Sequence, residues 1–242
     1  MEIIRDGDSF TIKGFTWGAT YNYEKYERTD ANGSRTYQVG EKSVPSVTTI
    51  LSQTTSKEKQ KSLEAWRQRV GYKEAAEITR NAALRGTEMH YVLENYVAGQ
   101  GYLNLSPEGA EARMMAHTII ENLKELKVIY GSEVSLAYED QWAGSTDLVG
   151  LYNGKPTIID FKQANKPKKE EWIEDYYYQI AAYSLAHKKQ YGDIKQGLIA
   201  MCTPKLVYQG FFINEELLLE YEEKWLNRVK KYYDKRSEKP QN

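Results

Sequence analysis

The chain of 242 residues holds a single cysteine, Cys202. That excludes an internal disulfide and a cysteine-based metal cluster, an iron–sulfur cluster included. An intracellular, cytoplasmic and reducing compartment is the expectation. Proline is scarce, at 6 residues, and no proline-rich linker or low-complexity tract divides the chain. Internal repeats are missing too. No apolar run is long enough to cross a bilayer, so no membrane association is expected. The opening MEIIRDGDSF lacks the basic-then-apolar pattern of a secretory signal. Nor does one sign of charge dominate: 33 basic against 34 acidic residues leave a net charge of −1. A protein that coats long duplex DNA is usually far more basic. The neutral balance favours a small, local binding groove over a broad basic face.

What remains is an ordinary globular composition, 40% hydrophobic and 28% charged. The length suits one large domain, or at most two small ones. We read one domain and expect a monomer. The supply of 20 tyrosines and 5 tryptophans is rich. Most belong in or near a core, and the rest are able to stack on bases.

The N-terminal part is rich in β formers. Tyr21, Tyr23 and Tyr26 alternate loosely, Asp30-Ala31-Asn32-Gly33 reads as a turn, and Thr36 to Val39 as a returning strand. Ser56 followed by Lys57 to Val70 reads as a helix with Leu63, Trp66 and Val70 on its core side, and Gly71 ends it. Helical spacing resumes from Lys73 to Val97, with Gly86 as a weak point that permits two helices there. A further helix is expected from Gly109 to Val128. The period then changes to two. Val134 to Trp142, Thr146 to Tyr152 and Pro156 to Lys162 read as strands. A helix from Lys168 to Tyr191, strands over Gly197 to Cys202 and Leu206 to Ile213, and a helix from Glu215 to Asp234 complete the pattern. The order α-β-β-β-α-β-β-α from Gly109 onward predicts a mixed α/β layer fold. The polar end, residues 235–242, is expected to fray.

Asn153-Gly154 is a strong two-residue hairpin turn, because type I′ needs positive φ at both central positions. Counting outward, Tyr152 opposes Lys155, Leu151 opposes Pro156, and Asp147 falls opposite Asp160. Side chains directly opposed across a ladder share a face, with Cβ atoms about 4.5–5.5 Å apart. Lys162, two residues beyond Asp160, joins that face, and Phe161 points the other way. Two carboxylates set among Leu148, Val149, Ile158 and Ile159 repel and are costly to bury. A hard divalent cation such as Mg²⁺ compensates such a pair, and a lysine beside it can orient a water or stabilise charge developing on a phosphate. The plain alternative is a surface ion pair between Asp160 and Lys162, with Asp147 at a strand end. A one-residue slip in register decides between the two.

These residues resemble the core of the PD-(D/E)XK nuclease superfamily, through GSTDLVGLYNGKPTIIDFK with Asp147 and then Asp160-Phe161-Lys162. Gln179 to Tyr183 is similar to the Q-x-x-x-Y motif of its RecB-like branch. Arg85-Gly86-Thr87-Glu88-Met89-His90 resembles the helix motif that supplies a metal-binding histidine there. Together with VPSVTTIL and EAWRQRVG, the set is similar to exonucleases related to the mitochondrial genome maintenance exonuclease and their phage relatives. The resemblance covers about residues 44–183. Thr146 stands where the superfamily's name-giving proline would be.

The resemblance implies a restriction-endonuclease-like core, a mixed sheet flanked by helices. The expected divisions are a β-rich extension at 1–55, a helical segment carrying the histidine motif at 56–130 and a catalytic core at 131–234. It implies His90, Asp147, Asp160 and the main-chain carbonyl of Phe161 as ligands of one or two Mg²⁺ or Mn²⁺ ions. Lys162 would position or activate the attacking water. Gln179 and Tyr183, one helical turn apart, would support the site or touch nucleic acid. The implied activity is hydrolysis of DNA, on single strands and from an end, in replication, repair or recombination. A structure-specific endonuclease and a non-catalytic DNA binder are the alternatives.

Other residues are read more plainly. Arg85, Thr87, Lys166, Lys168 and Arg67 are candidate DNA contacts, although a solvated helix start explains Lys166, Lys168 and Lys169 nearly as well. Glu94 follows His90 by one turn and is a candidate supporting residue. Glu133 either reaches the site or is an ordinary strand-end charge. Glu88 is expected at the surface, His117 and His187 in solvent, and Cys202 in a buried strand.

Overall fold

The computed structural model describes residues 3–6, 9–12, 15–18, 21–100 and 102–237. Short strands β1 (Ile3–Asp6), β2 (Ser9–Ile12) and β3 (Phe15–Trp17) come first. β4 (Glu27–Ala31), β5 (Ser34–Val39) and β6 (Lys42–Pro45) form a separate antiparallel sheet. Helices α1 (Val47–Gln53), α2 (Lys57–Val70), α3 (Tyr72–Val97) and α4 (Pro107–Glu121) follow. The remainder is β7 (Leu126–Tyr138), β8 (Trp142–Tyr152), β9 (Lys155–Gln163), α5 (Glu174–Gln190), β10 (Gln196–Cys202), β11 (Tyr208–Ile213) and α6 (Glu215–Ser237). Among the described residues the main sheet has eight strands in the order β1-β2-β3-β7-β8-β9-β10-β11. It is mixed, because α5 carries the chain from β9 across to β10, which lies parallel to it. The protein is a mixed α/β fold with helices on both faces of the sheet. Of the polar end, residues 238–242 lie outside the described residues.

Local chemistry sets most boundaries. Ser46, Ser56 and Ser106 cap α1, α2 and α4, each hydroxyl accepting the N–H three residues on. Pro107 occupies the first turn of α4, where no N–H is needed. Gly71, at φ +96°, breaks α2 from α3. Gly86 does not split α3, which runs unbroken through it. A Cβ there would stand 3.2 Å from Cγ of Gln163, so the glycine lets the helix approach the end of β9. The two Asn-Gly turns form as the sequence predicts, with Asn32 and Gly33 at φ +51° and +73° and Asn153 and Gly154 at +49° and +72°.

Three boundaries differ from expectation. The helix expected to Val128 stops at Glu121, and β7 begins at Leu126, because Val128 and Ile129 pair with Leu151 and Gly150 instead. The turn between β7 and β8 falls at Glu139-Asp140-Gln141, with Glu139 at φ +50°, and not near Gly144. α5 starts at Glu174 rather than Lys168, after a single 3-10 turn at Glu170–Trp172.

Among the described residues the main core has two halves, one on each face of the sheet, and a small third cluster of Tyr37, Val44, Ala137 and Ala143 joins the lesser sheet to β7 and β8. On one face Val149, Ile158 and Ile199 meet α1, α5 and α6, and Trp142 meets Trp225 edge-on at 5.6 Å. On the other, Leu148, Ile159, Phe161 and the buried Cys202 meet Met89 and Leu93 of α3 and Met115 and Ile119 of α4. The helical hairpin of α2 and early α3 lies outside both. No residue of α2 is buried, and Leu63 is 46% exposed. This corrects the expected core stripe of Leu63, Trp66 and Val70. Lys59 anchors α2 to Asp175 at the start of α5, which also binds Arg228 at 2.9 Å.

His187 is a second correction, since it is fully buried rather than solvated. It sits among Tyr21, Tyr23 and Tyr191. The Gly192 carbonyl, 2.7 Å from Nδ1, can only accept. Nδ1 therefore carries the proton, and the Tyr23 hydroxyl donates to Nε2 at 3.0 Å. Burial depresses the imidazole pKa, with the Gly192 hydrogen bond opposing. The unfolded chain then takes up a proton near about pH 6.5 that the folded protein refuses. Stability from this residue is complete above that pH and is lost as pH falls below it. Denaturant unfolding of the wild type between pH 7.5 and 5.5 should show this loss. His187→Asn should be less stable at pH 7.5 by about 1–3 kcal/mol and flatter below pH 6.5. An unchanged acid slope in that variant would clear His187 of the effect.

Candidate metal centre and its cleft

The β8–β9 ladder runs from Tyr152↔Lys155 inward to Leu148↔Ile159, the register counted from the Asn-Gly turn. There regular pairing stops. Asp147 and Asp160 are the next residues, and the Phe161 N–H donates to Oδ2 of Asp147 at 2.5 Å. A side chain replaces a ladder bond, and the two strands part around the carboxylates. Alternation places Asp160 and Lys162 on the α5 face, where their ion pair forms. The Phe161 ring goes to the opposite core.

α3 brings His90 in from the side. Met89 and Leu93 anchor the helix in the core, which leaves His90 Nδ1 3.1 Å from Oδ1 of Asp147. From β7 comes Glu133. It falls opposite Asp147 by count, between the pairs Ser132↔Leu148 and Val134↔Thr146. Its backbone is left-handed, at φ +50°, a local kink that re-aims the side chain. His90, Glu133 and Asp147 each offer a ligand atom within 4.8 Å of the others. Glu133, left even in the sequence, thus stands with the site. Asp160 is beside this trio, 4% exposed, with the Lys162 ammonium as its ion-pair neighbour.

These groups perturb one another. Burial alone would lower the His90 pKa, but the Asp147 carboxylate outweighs it and raises it. Burial would raise Asp147, yet His90, Lys162 and the Phe161 N–H hold it below the usual range. Asp160 is pushed up by burial, with Lys162 opposing and Asp147 adding to the rise. Burial works against the Lys162 charge, but Asp160 and Asp147 keep it protonated. Glu133 is pushed up to about 7 by desolvation, helped by the charges of Asp147 and Glu94. Crowded carboxylates with an imidazole at one side are the donor set of a hard, borderline divalent cation. The residues present fit such an ion.

The trio opens into a cleft of about 530 Å³. α5 closes its floor with Gln179 and Tyr183, both nearly buried. The Gln179 Oε1 atom is buried with no hydrogen-bond partner among the described residues. Gly144 makes room for Tyr183, since a Cβ there would come within 2.7 Å of Cε1 of the ring. The α3 wall adds Thr87, Tyr91 and Glu94, and the β4–β5 hairpin adds Arg28, Arg35 and Tyr37.

Some expected contacts lie elsewhere. Arg85 does not line the cleft. Its guanidinium is engaged by Gln163 at 3.1 Å, Glu111 at 3.4 Å and Asn165, so it ties α3 to the chain leaving β9. Arg67 pairs with Glu64 on exposed α2. Lys166 and Lys168 lie on the loop after β9, where the Lys168 N–H bonds Gln209; neither lines the cleft. Glu88 is no bare surface charge: it accepts from the Tyr102 hydroxyl and from Asn104, each at 2.9 Å. His117 is exposed as expected. Arg28, Arg35 and Tyr37 were not anticipated. The Asn32-Gly33 turn was the signal, because the same outward count used for Asp147 puts Asp30 opposite Arg35 and Arg28 opposite Tyr37.

Fold and cleft together define a mixed α/β protein with a candidate acidic metal site. In sequence the chain is similar to mitochondrial genome maintenance exonuclease 1. It is 32% identical over 208 residues to the Mus musculus protein, spanning 80% of this chain and 60% of that one. The Homo sapiens protein is 29% identical over 211 residues, spanning 80% and 59%. The chain thus spans about three-fifths of the length of these relatives. No family model matches it. Among solved structures, a protein of Eubacterium rectale provisionally assigned as an exonuclease is similar at a TM-score of 0.46 and 15% identity, over 64% of this chain and 65% of that one. No described helix is long and apolar enough to cross a membrane.

Lys162→Met keeps the length of the side chain and removes its charge, leaving two buried carboxylates without their cation. In EDTA the variant should lose about 2–4 kcal/mol of stability, and added Mn²⁺ should restore part of it. Urea unfolding with and without Mn²⁺ tests this. Wild-type stability in EDTA would show that the ammonium is not what holds the carboxylates together.

Proposed function

We propose that the protein is a metal-dependent deoxyribonuclease that removes nucleotides from the ends of single-stranded DNA. The observation that carries this reading is the convergence of His90, Glu133 and Asp147 beside the Asp160–Lys162 pair. Homology to exonucleases supports it. A near-zero net charge, with Arg28, Arg35 and Lys162 as the lysines and arginines lining the cleft among the described residues, favours a single strand over a broad duplex contact. The chain acts as one nuclease domain, with the β-rich and helical segments forming the cleft walls around the sheet.

His90, Glu133 and Asp147 would hold a Mg²⁺ or Mn²⁺ ion, with Asp160 and the Phe161 carbonyl adjoining. When bound, the ion supplies Lewis acidity to the scissile phosphate and to its attacking water. The chain's own residues do the rest. Lys162, protonated and pinned by Asp160, orients a water and opposes charge developing on the phosphate. The Phe161 N–H fixes the Asp147 carboxylate. Gln179 keeps a buried, unpaired carbonyl oxygen in the cleft floor, and Tyr183 packs beneath the site against Gly144.

End-labelled single strands incubated with Mg²⁺ or Mn²⁺ should be shortened by the wild type. Lys162→Ala and Asp147→Asn should each slow this by at least about 100-fold without changing the far-ultraviolet circular dichroism. A circular single strand should survive. Wild-type rates in both variants would remove the site from the reaction, and cutting of the circle would make the enzyme an endonuclease.

A further inference from the structure

The cleft has an acidic wall and a basic wall. Glu94, Glu133, Asp147 and Asp160 make the first. Lys162 stands with Asp160 on the acidic side, and the cationic side chains on the opposite wall are Arg28 and Arg35, both lining the cleft. The hairpin sets these two side chains on one face with Asp30 between them, because Asp30 pairs with Arg35 across the strands and lies two residues from Arg28. Oδ1 of Asp30 accepts the Arg35 Nε–H at 2.8 Å, and Oδ2 forms an ion pair with Arg28, whose Nε is 3.1 Å away. One carboxylate thus orders two guanidinium groups and neutralises only one charge. The Nη ends of both make no hydrogen bond to any described residue. Tyr183 lies between the walls, within electrostatic reach of Asp160 and Asp147 on one side and of Tyr37 and Arg35 on the other.

A guanidinium held by Nε presents its two Nη groups as a planar fork, the geometry that binds phosphate oxygens in pairs. We propose that Arg28 and Arg35, ordered by Asp30, clamp a phosphate of the bound strand next to the one being cut. This rests on the nuclease reading and adds a positioning site to it. The acidic wall takes the scissile phosphate through its cation, and the fork takes a neighbouring phosphate directly. Asp30 acts through the arginines and touches no substrate.

The test measures binding without cleavage, using fluorescein-labelled oligothymidylate in EDTA over a range of salt. Arg28→Gln with Arg35→Gln should weaken binding about 10-fold and reduce the slope of log affinity against log salt by about 0.7, the single-strand value for one phosphate. Replacing phosphates one at a time with uncharged methylphosphonate should weaken wild-type binding at one position near the bound end and leave the double variant unaffected there. Arg28 is more than half exposed, so Arg28→Gln alone folds and should show part of the effect. Arg28→Lys with Arg35→Lys should keep most of the salt slope yet lose affinity, because the charge stays and the fork goes. Wild-type binding no tighter than that of the double glutamine variant overturns the proposal, as does an equal salt slope. Cleavage needs the cation and this assay does not. Binding by the fork with no cleavage in Mn²⁺ would sink the nuclease reading alone, and cleavage with a silent fork would sink this one alone.

Discussion

Asp147 and Asp160 stand side by side where β8 and β9 part, and the surrounding structure is arranged to make that tolerable. Neighbouring carboxylates in a largely apolar setting repel, and each loses hydration. Three compensations are built in: the Lys162 ammonium, the His90 imidazole and the Phe161 N–H. Each comes from a different constraint. Lys162 is set by strand alternation, His90 by the anchoring of α3 in the core, and Phe161 by the end of the ladder itself. Even so, Glu133 adds a further acid to the group. A cluster with more acid than its own cations balance is arranged to take a positive ion from outside. The same imbalance costs the fold stability at this site.

Two hairpins with the same Asn-Gly turn do related work on opposite walls. One holds the register as far as Leu148↔Ile159, the pair just before Asp147 and Asp160, and the other aligns Asp30 with Arg35 and Arg28 with Tyr37. In both, a turn that demands positive φ at two positions fixes the register, and register fixes which side chains share a face. Acidic and basic walls are therefore determined by local backbone chemistry and then brought together by packing. Gly144 and Gly86 are the spacers that let the pieces close up, one under Tyr183 and one against Gln163.

The helical hairpin of α2 and early α3 follows a different logic. It buries almost nothing of its own and is tied down by the ion pair between Lys59 and Asp175. Segments with so few buried contacts open at little free-energy cost. It lies at one end of α3, whose other half carries His90. The opposite end of α3 is fixed by Leu93 and Val97 in the core.

Much of this was legible in the sequence. The strand and helix order from α4 onward, the β8–β9 register and the shared face of Asp160 and Lys162 follow from turn chemistry and period alone, because these are local rules. Resemblance to a nuclease branch singled out His90, which no spacing argument could have chosen over His187. The rest was decided by tertiary contacts. Glu133 joins the site through a kink in β7 that no residue type announces. Arg85 is drawn off to Gln163, Glu111 and Asn165, partners 26 to 80 positions away in the chain. His187 is buried because Tyr21 and Tyr23, from a segment more than 160 residues away, close around it with the nearby Tyr191, and Trp66 stays half-buried because α2 contributes no buried residue to the core. Sequence determines what a segment can form and which of its faces is apolar. Which distant group arrives to meet that face depends on how the layers close, and that is a property of the assembled fold.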